Sequence, residues 1–305
     1  MTTSRVWHRN IGAAITPAMT LTEQLEAAGL NWSVERTPYR YGEFFEHQDD
    51  TFQIAYRSDT AKVLDRHGPR RNVFQNRDIV QAFHDFCNSS GDGLKIERLG
   101  CLAGGKSLFA TAKLDHEIDV AKVGDRIETR ILLTESHISG VALQVRVFYN
   151  RLICTNGMTQ LVKLDGSTLN HMKQFDARTV REYLEAAYEH TAEYEQTLNQ
   201  LAGVTISKAE AKMQLVKAFG KDHLAWEEQP RAVRVCFELF GGRGAGSGML
   251  SAYDTLFGLT EAVKEYHNWS MKGSTGERAF GSLCFGARGR AQDQFMKQAV
   301  GLSVL

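Results

Sequence analysis

The stretch RLICTNGM, residues 151–158, gathers an arginine, a cysteine and an Asn-Gly pair at the end of an apolar run. A cysteine nucleophile needs a base and a positive field to hold its thiolate. Arg151 is near in sequence, and His171 reaches Cys154 only through folding. On a strand, Cys154 shares its face with Leu152 and Asn156 while Arg151 points the other way. That spacing reads as a packed cysteine, with Asn156-Gly157 as a turn. The glycine-rich GGRGAGSG, residues 241–248, lacks the GK[ST] ending of a phosphate-binding P-loop and reads as a flexible loop. The ten histidines are scattered and form no HExxH or comparable ligand pair, and there is no GxSxG or CxxC. The expectation is no catalytic residue, no metal site and no cofactor.

Basic side chains offer a different chemistry. From Arg57 to Arg77 the chain carries Arg57, Lys62, Arg66, Arg70, Arg71 and Arg77 against only Asp59 and Asp65. Arg146 stands on a strand face with Gln144, Arg151 at the strand end, and Lys173 opens a stretch with Arg178 and Arg181. Arginine suits phosphate because its planar fork donates two hydrogen bonds at once. The expected contact set for a nucleic-acid backbone is therefore Arg57, Lys62, Arg66, Arg70, Arg71, Arg77, Arg146, Arg151 and Lys173, against the plainer reading of solvated surface charge. The whole chain does not force that partner: Lys+Arg and Asp+Glu both number 36, so a binding patch must be local. No apolar run reaches the roughly 20 residues of a membrane span, and the polar MTTSRVWHRNIG start lacks a signal-peptide core. A cytoplasmic protein with no membrane partner is expected. Five widely spaced cysteines argue against a disulfide framework.

The elements that must position these residues follow from pattern. Thr20 with Glu23 and Ser207 with Glu210 have capping-box spacing. NWSVERTPYRY and FQIAYRSD alternate like strands, and residues 57–78 read as a polar connection. Ile79, Phe83 and Phe86 mark one helix face. A hairpin is expected around Gly104-Gly105, then strands over DRIETRILLTES and GVALQVRVFYNRLICTN. From Asp176 the period becomes helical: a long helix to Gly203, a second from Ser207, an aromatic helix over Tyr253–Trp269, and a closing loop plus helix. The fold class is α+β, an antiparallel meander with one helix followed by a helical half. Residues 1–175 form the α+β core region, and 176–305 the helical region with the glycine loop.

Several motifs in order resemble a family of uncharacterised phage- and plasmid-like proteins. They are Trp7 with Gly12, Leu25-x4-Leu30-Asn31-Trp32, Arg57-Ser58-Asp59-Thr60, Phe74-Gln75-Asn76, Leu102 to Lys106, Arg151 to Asn156, and Thr260-Glu261-x3-Glu265-Tyr266. The order of elements is also similar, at the level of fold only, to Rad-fifty-two-type single-strand annealing proteins. That resemblance implies a homo-oligomer that lays single-stranded DNA in a basic groove without a cofactor and anneals strands in recombination. Two other readings stand beside it. One is a non-catalytic structural or host-modulating oligomer, with the aromatic helix as its surface. The other is an enzyme on nucleotides that uses the Arg57-Ser58-Asp59 box and Asn156.

Overall fold

A computed structural model describes residues 11–89, 94–152, 158–272 and 276–304. Trp7, Cys154 and Asn156-Gly157 lie outside them. The chain is α+β, with its strands in the first half and most of its helices in the second.

Two sheets are built. The larger has six strands in the order β1 (Ala13–Ala14), β5 (Lys95–Leu102), β6 (Ser107–Val120), β7 (Asp125–Ser136), β8 (Leu143–Arg151), β9 (Met158–Leu169), all antiparallel. The smaller is an antiparallel meander of β2 (Val34–Tyr41), β3 (His47–Arg57) and β4 (Val63–His67). The β5–β6 hairpin turns at Gly104-Gly105 as its glycines suggest, with φ of 70° and 100°. Two strands depart from the sequence reading. β4 occupies the segment expected to be a polar connection; it pairs with β3 through backbone groups, which its polar side chains do not reveal. β9 follows RLICTNGM and pairs with β8, so β8 is not an edge.

The helices obey their end signals. Helix α1 (Leu21–Ala27) and α4 (Lys208–Phe219) have both halves of their capping boxes in place. Asp176 caps the long α3 (Ala177–Gly203) by accepting from the Arg178 amide. Helix α2 (Asn76–Ser89) buries Ile79, Phe83 and Phe86 as its periodicity requires. Helix α5 (Arg231–Glu238) was not foreseen. The closing segment is two helices, α7 (Glu277–Phe285) and α8 (Ala287–Ser303), divided at Gly286.

The aromatic segment differs most. Helix α6 runs Leu256–Glu265 from a Thr255 cap, and a single π turn follows over Tyr266–Ser270. Every residue from Leu256 to Lys264 is buried. With all of these residues buried, the charged Glu261 and Lys264 included, α6 belongs to the core and is not an oligomer surface. The main core takes side chains from α1 through α6 and from α8, and crosses the 175/176 boundary. It lies on the β7–β8 face that carries Ile131, Leu133, Val145 and Val147. On the opposite face Phe109, Leu132 and Phe148 pack against Phe280 and Leu283 of α7. With both faces covered, polar side chains on β7 and β8 must find partners inside the protein.

Candidate functional site

The outer face of the small sheet presents a group of half-exposed and exposed aromatic rings. Strand alternation sends Phe52, Ile54 and Tyr56 of β3 outward, beside Val63 and Arg66 of β4. Tyr39 and Tyr41 of β2 stack on each other at 6.4 Å. The Arg66 guanidinium lies 4.0 Å from the Phe52 ring centre and 5.6 Å from that of Tyr39. Tyr41 is 51% exposed and Val63 53%. A row of rings with a cation laid across it offers stacking and phosphate attraction together.

Behind this face, a clasp joins the small sheet to the large one. The Arg57 guanidinium sits 4.5 Å from the Trp32 ring centre, forks onto both Asp59 oxygens at 2.9 and 2.6 Å, and reaches the Gly104 carbonyl at 3.3 Å. The hydrogen bonds from Arg57 hold the Asp59 carboxyl below its ordinary range. Gly105 must be glycine: a Cβ there would fall 2.9 Å from Trp32 and 3.1 Å from the Arg57 guanidinium. Asn76 donates to the Leu30 and Trp32 carbonyls, and Gln75 exchanges two hydrogen bonds with the Val34 backbone. The Trp32, Arg57-Ser58-Asp59, Gln75-Asn76 and Gly104-Gly105 motifs, dispersed in sequence, thus meet in one place.

Beneath the clasp lies a buried histidine centre. His171 Nε2 stands 2.8 Å from Glu135 Oε1, and its Nδ1 is 3.0 Å from the Asn72 carbonyl. Its ring stacks on Phe74 at 4.2 Å. Arg71 donates to the Ser136 and Ile138 carbonyls, and His137 Nε2 meets Asn76 Oδ1 at 3.0 Å. His67, His137, His171 and Arg71 line a small cavity of about 10 Å³. Burial pushes the Glu135 carboxyl up, against the pull of His171. Burial, helped by the nearby His171 and Arg71, lowers His137 to about 3.

A second buried centre joins β8 to α6. Arg151 forks onto Asp125 at 2.7 and 2.6 Å, and Ser251 donates to the same carboxylate at 2.5 Å. The Arg151 guanidinium lies 5.0 Å from the Phe257 ring and 3.7 Å from Glu261 Oε2; Glu261 in turn accepts from Lys264 at 2.5 Å. The glycine loop closes over this centre. Gly244 donates to the Leu239 carbonyl, and the Ala245 amide to Glu265 at 2.9 Å. Burial raises the Glu265 carboxyl, partly offset by that amide. The loop expected to be flexible is therefore bonded to α6 and, through Ser251, to the large sheet.

These placements divide the nine expected nucleic-acid contacts. Lys62, Arg66, Arg70, Arg77 and Lys173 are exposed. Arg57 is committed to the clasp and Arg71 to the histidine centre. Two expectations need correction. Arg151 is 2% exposed and does not hold phosphate at a sheet edge, because β9 pairs outside it and α6 covers it. Arg146 is 9% exposed, bonded to Gln144, and lies under the α7–α8 junction near Gly289. Sequence reading missed the outward aromatics, although the alternation of FQIAY marked them. Parity separates two faces without saying which one meets water.

Among the described residues no group of three or more His, Cys, Asp or Glu side chains has metal-holding geometry. No described helix is long and apolar enough to cross a membrane. Residues 63–293 match the family model described as a domain of unknown function, DUF932. The chain belongs to the DUF932 family. The DUF932 match opens at the first residue of β4 and takes in Arg71, Asp125, Glu135, His137, Arg151, His171 and Glu261. Both buried centres therefore lie within the DUF932 region, whereas β2 and β3 precede it. No curated protein and no solved structure matches the chain.

Proposed function

We propose that this DUF932 protein binds single-stranded DNA on the outer face of its small sheet, without a cofactor and without chemistry on the strand. The observation that carries the reading is Arg66 laid over Phe52 and Tyr39 on an open face that also presents Tyr41 and Tyr56. Bases stack on exposed rings whatever their sequence, and stacking contributes about 1–3 kcal/mol per base. Arg66 supplies the cation on that face; Lys62, whose Nζ lies beside Gly104 on the clasp side, and Arg70 are exposed just before and just after β4. The motif order shared with phage- and plasmid-like proteins supports a mobile-element setting in the host cytoplasm. There, strand annealing in recombination is the activity such binding would serve.

Fluorescence anisotropy with a labelled oligothymidylate and a duplex of equal length, over a salt series, tests the reading. Tighter binding of the single strand is expected. Three phosphate contacts correspond to a slope of log K against log salt of about −2. Absence of salt-sensitive single-strand binding, or equal binding by a variant carrying Tyr39→Ala and Phe52→Ala, would sink it.

A further inference from the structure

The β2–β3 hairpin tip carries a feature that strand binding does not use. Phe44 is 82% exposed and Phe45 65%. Phe45 has φ of 57°, a left-handed conformation that a bulky side chain adopts only at a cost. The tip is held in that shape by its own backbone and acids: Phe45 donates to the Gly42 carbonyl, and the Phe44 amide to Glu46 at 3.0 Å. Four carboxylates, Glu43, Glu46, Asp49 and Asp50, stand close to the two rings in sequence, against Arg40 and His47. Four acids there repel a phosphate backbone. Two large rings held in water by a strained turn mark a docking element.

The same chain carries a surface of complementary character on α4 and the glycine loop. Lys208 Nζ lies 4.3 Å from the Phe240 ring centre and 6.0 Å from that of Tyr253. Lys212 Nζ lies 4.5 Å from Trp226 and 4.9 Å from Phe237. Tyr253, 64% exposed, stands beside Lys208; Met213, 58% exposed, follows Lys212 on α4, and Leu250, 80% exposed, lies three residues before Tyr253 in the chain. Asp254 answers Lys208 and Glu238 answers Arg243, whereas among the described residues no carboxylate forms an ion pair with Lys212 or Lys217.

We infer that the acidic Phe44-Phe45 tip of one copy docks on the Lys208–Lys212, Leu250 and Tyr253 surface of a second copy. The contact joins two different patches, so it is heterologous, and each copy keeps one tip and one patch for further neighbours. Opposite charges steer the encounter, and the two rings supply the apolar anchor. The inference stands apart from strand binding, because neither patch includes Arg66 or Phe52.

Light scattering after size exclusion, without nucleic acid and at low salt, tests it. Wild type is expected to rise with concentration to at least twice the monomer mass, and to fall back in high salt. A tip variant with Phe44→Ser and Glu46→Lys, and a patch variant with Lys212→Glu and Leu250→Ser, should each remain monomeric with an unchanged thermal melt. Mixed together, they should form a dimer and nothing larger, through the one intact tip and the one intact patch. A monomeric wild type, association by either variant alone, or a mixture that stays monomeric would overturn the inference.

Discussion

Arg66 and Arg151 make the same contact in two settings. Each stands on a β-strand and lays its guanidinium over a phenyl ring, 4.0 Å from Phe52 and 5.0 Å from Phe257. Arg66 has water on its other side. Arg151 has Asp125, Ser251 and Glu261 around it and is 2% exposed. What separates them is coverage: nothing among the described elements packs over β4's outer face, whereas α6 and the glycine loop close over the end of β8. Buried, the guanidinium becomes a cross-link between strand and helix. Left open, it becomes an instrument for recognition. An arginine near a strand end is therefore not by itself a phosphate contact.

The largest effect that would break this comparison is at Arg151. Arg151→Met strands Asp125 without its fork, and removing one partner of a buried pair costs about 3–5 kcal/mol. Chemical denaturation should show that loss. A variant within about 1 kcal/mol of wild type would mean that Arg151 is no cross-link, since surface changes fall in that range.

The next effect concerns the histidine centre and acid. The fold holds His137 neutral down to about 3, below the ordinary histidine value. The unfolded chain therefore takes up a proton there that the folded chain refuses. The stability is fully present above about pH 6.5 and falls as pH drops towards 3, by roughly 1.4 kcal/mol per unit. Glu128 adds a lower limb. Burial would raise its carboxyl, but Arg130 and Lys113 outweigh that and hold it at about 2, so its contribution is lost as pH falls below its unfolded value. In melts across acid pH, His137→Gln should flatten the curve between about pH 6.5 and 4.5, where roughly 2–3 kcal/mol is at stake. An unchanged acid limb would remove His137 from the account.

Smaller effects belong to the open face. Phe52→Ala should weaken single-strand binding about tenfold, at the low end of a lost stack, with stability little changed. Arg66→Ala should reduce the salt slope by about 0.7, one phosphate contact fewer. Lys173→Ala lies away from that face and should change neither, and a loss equal to that of Arg66→Ala would move the interface to the stretch before α3.

Much of the frame was readable from the chain. The boxes at Thr20 and Ser207 and the Gly104-Gly105 hairpin are local signals that tertiary packing left intact. Partners distant in sequence were not readable. Arg151 meets Asp125 across a strand pair and Glu261 from a helix a third of the chain away, and no local pattern announces either. β4 stayed hidden because its pairing runs through the backbone while its side chains look like a loop. The buried α6 was misread because its aromatic stripe shows apolar content without showing how many sides are covered.

The small sheet has one more property with a consequence for solubility. One of its two edge strands, β2, carries Pro38, which has no amide hydrogen to offer a newcomer. Next to it, β3 spends Asp50, Thr51 and Phe52 in a bulge between the pairs Tyr39–Asp49 and Pro38–Gln53. Both devices spoil a flat template for edge-to-edge growth. A sheet that keeps tyrosine and phenylalanine in water runs the risk of seeding fibrils. Here the blunted margin lets the apolar face stay open while the backbone refuses to polymerise.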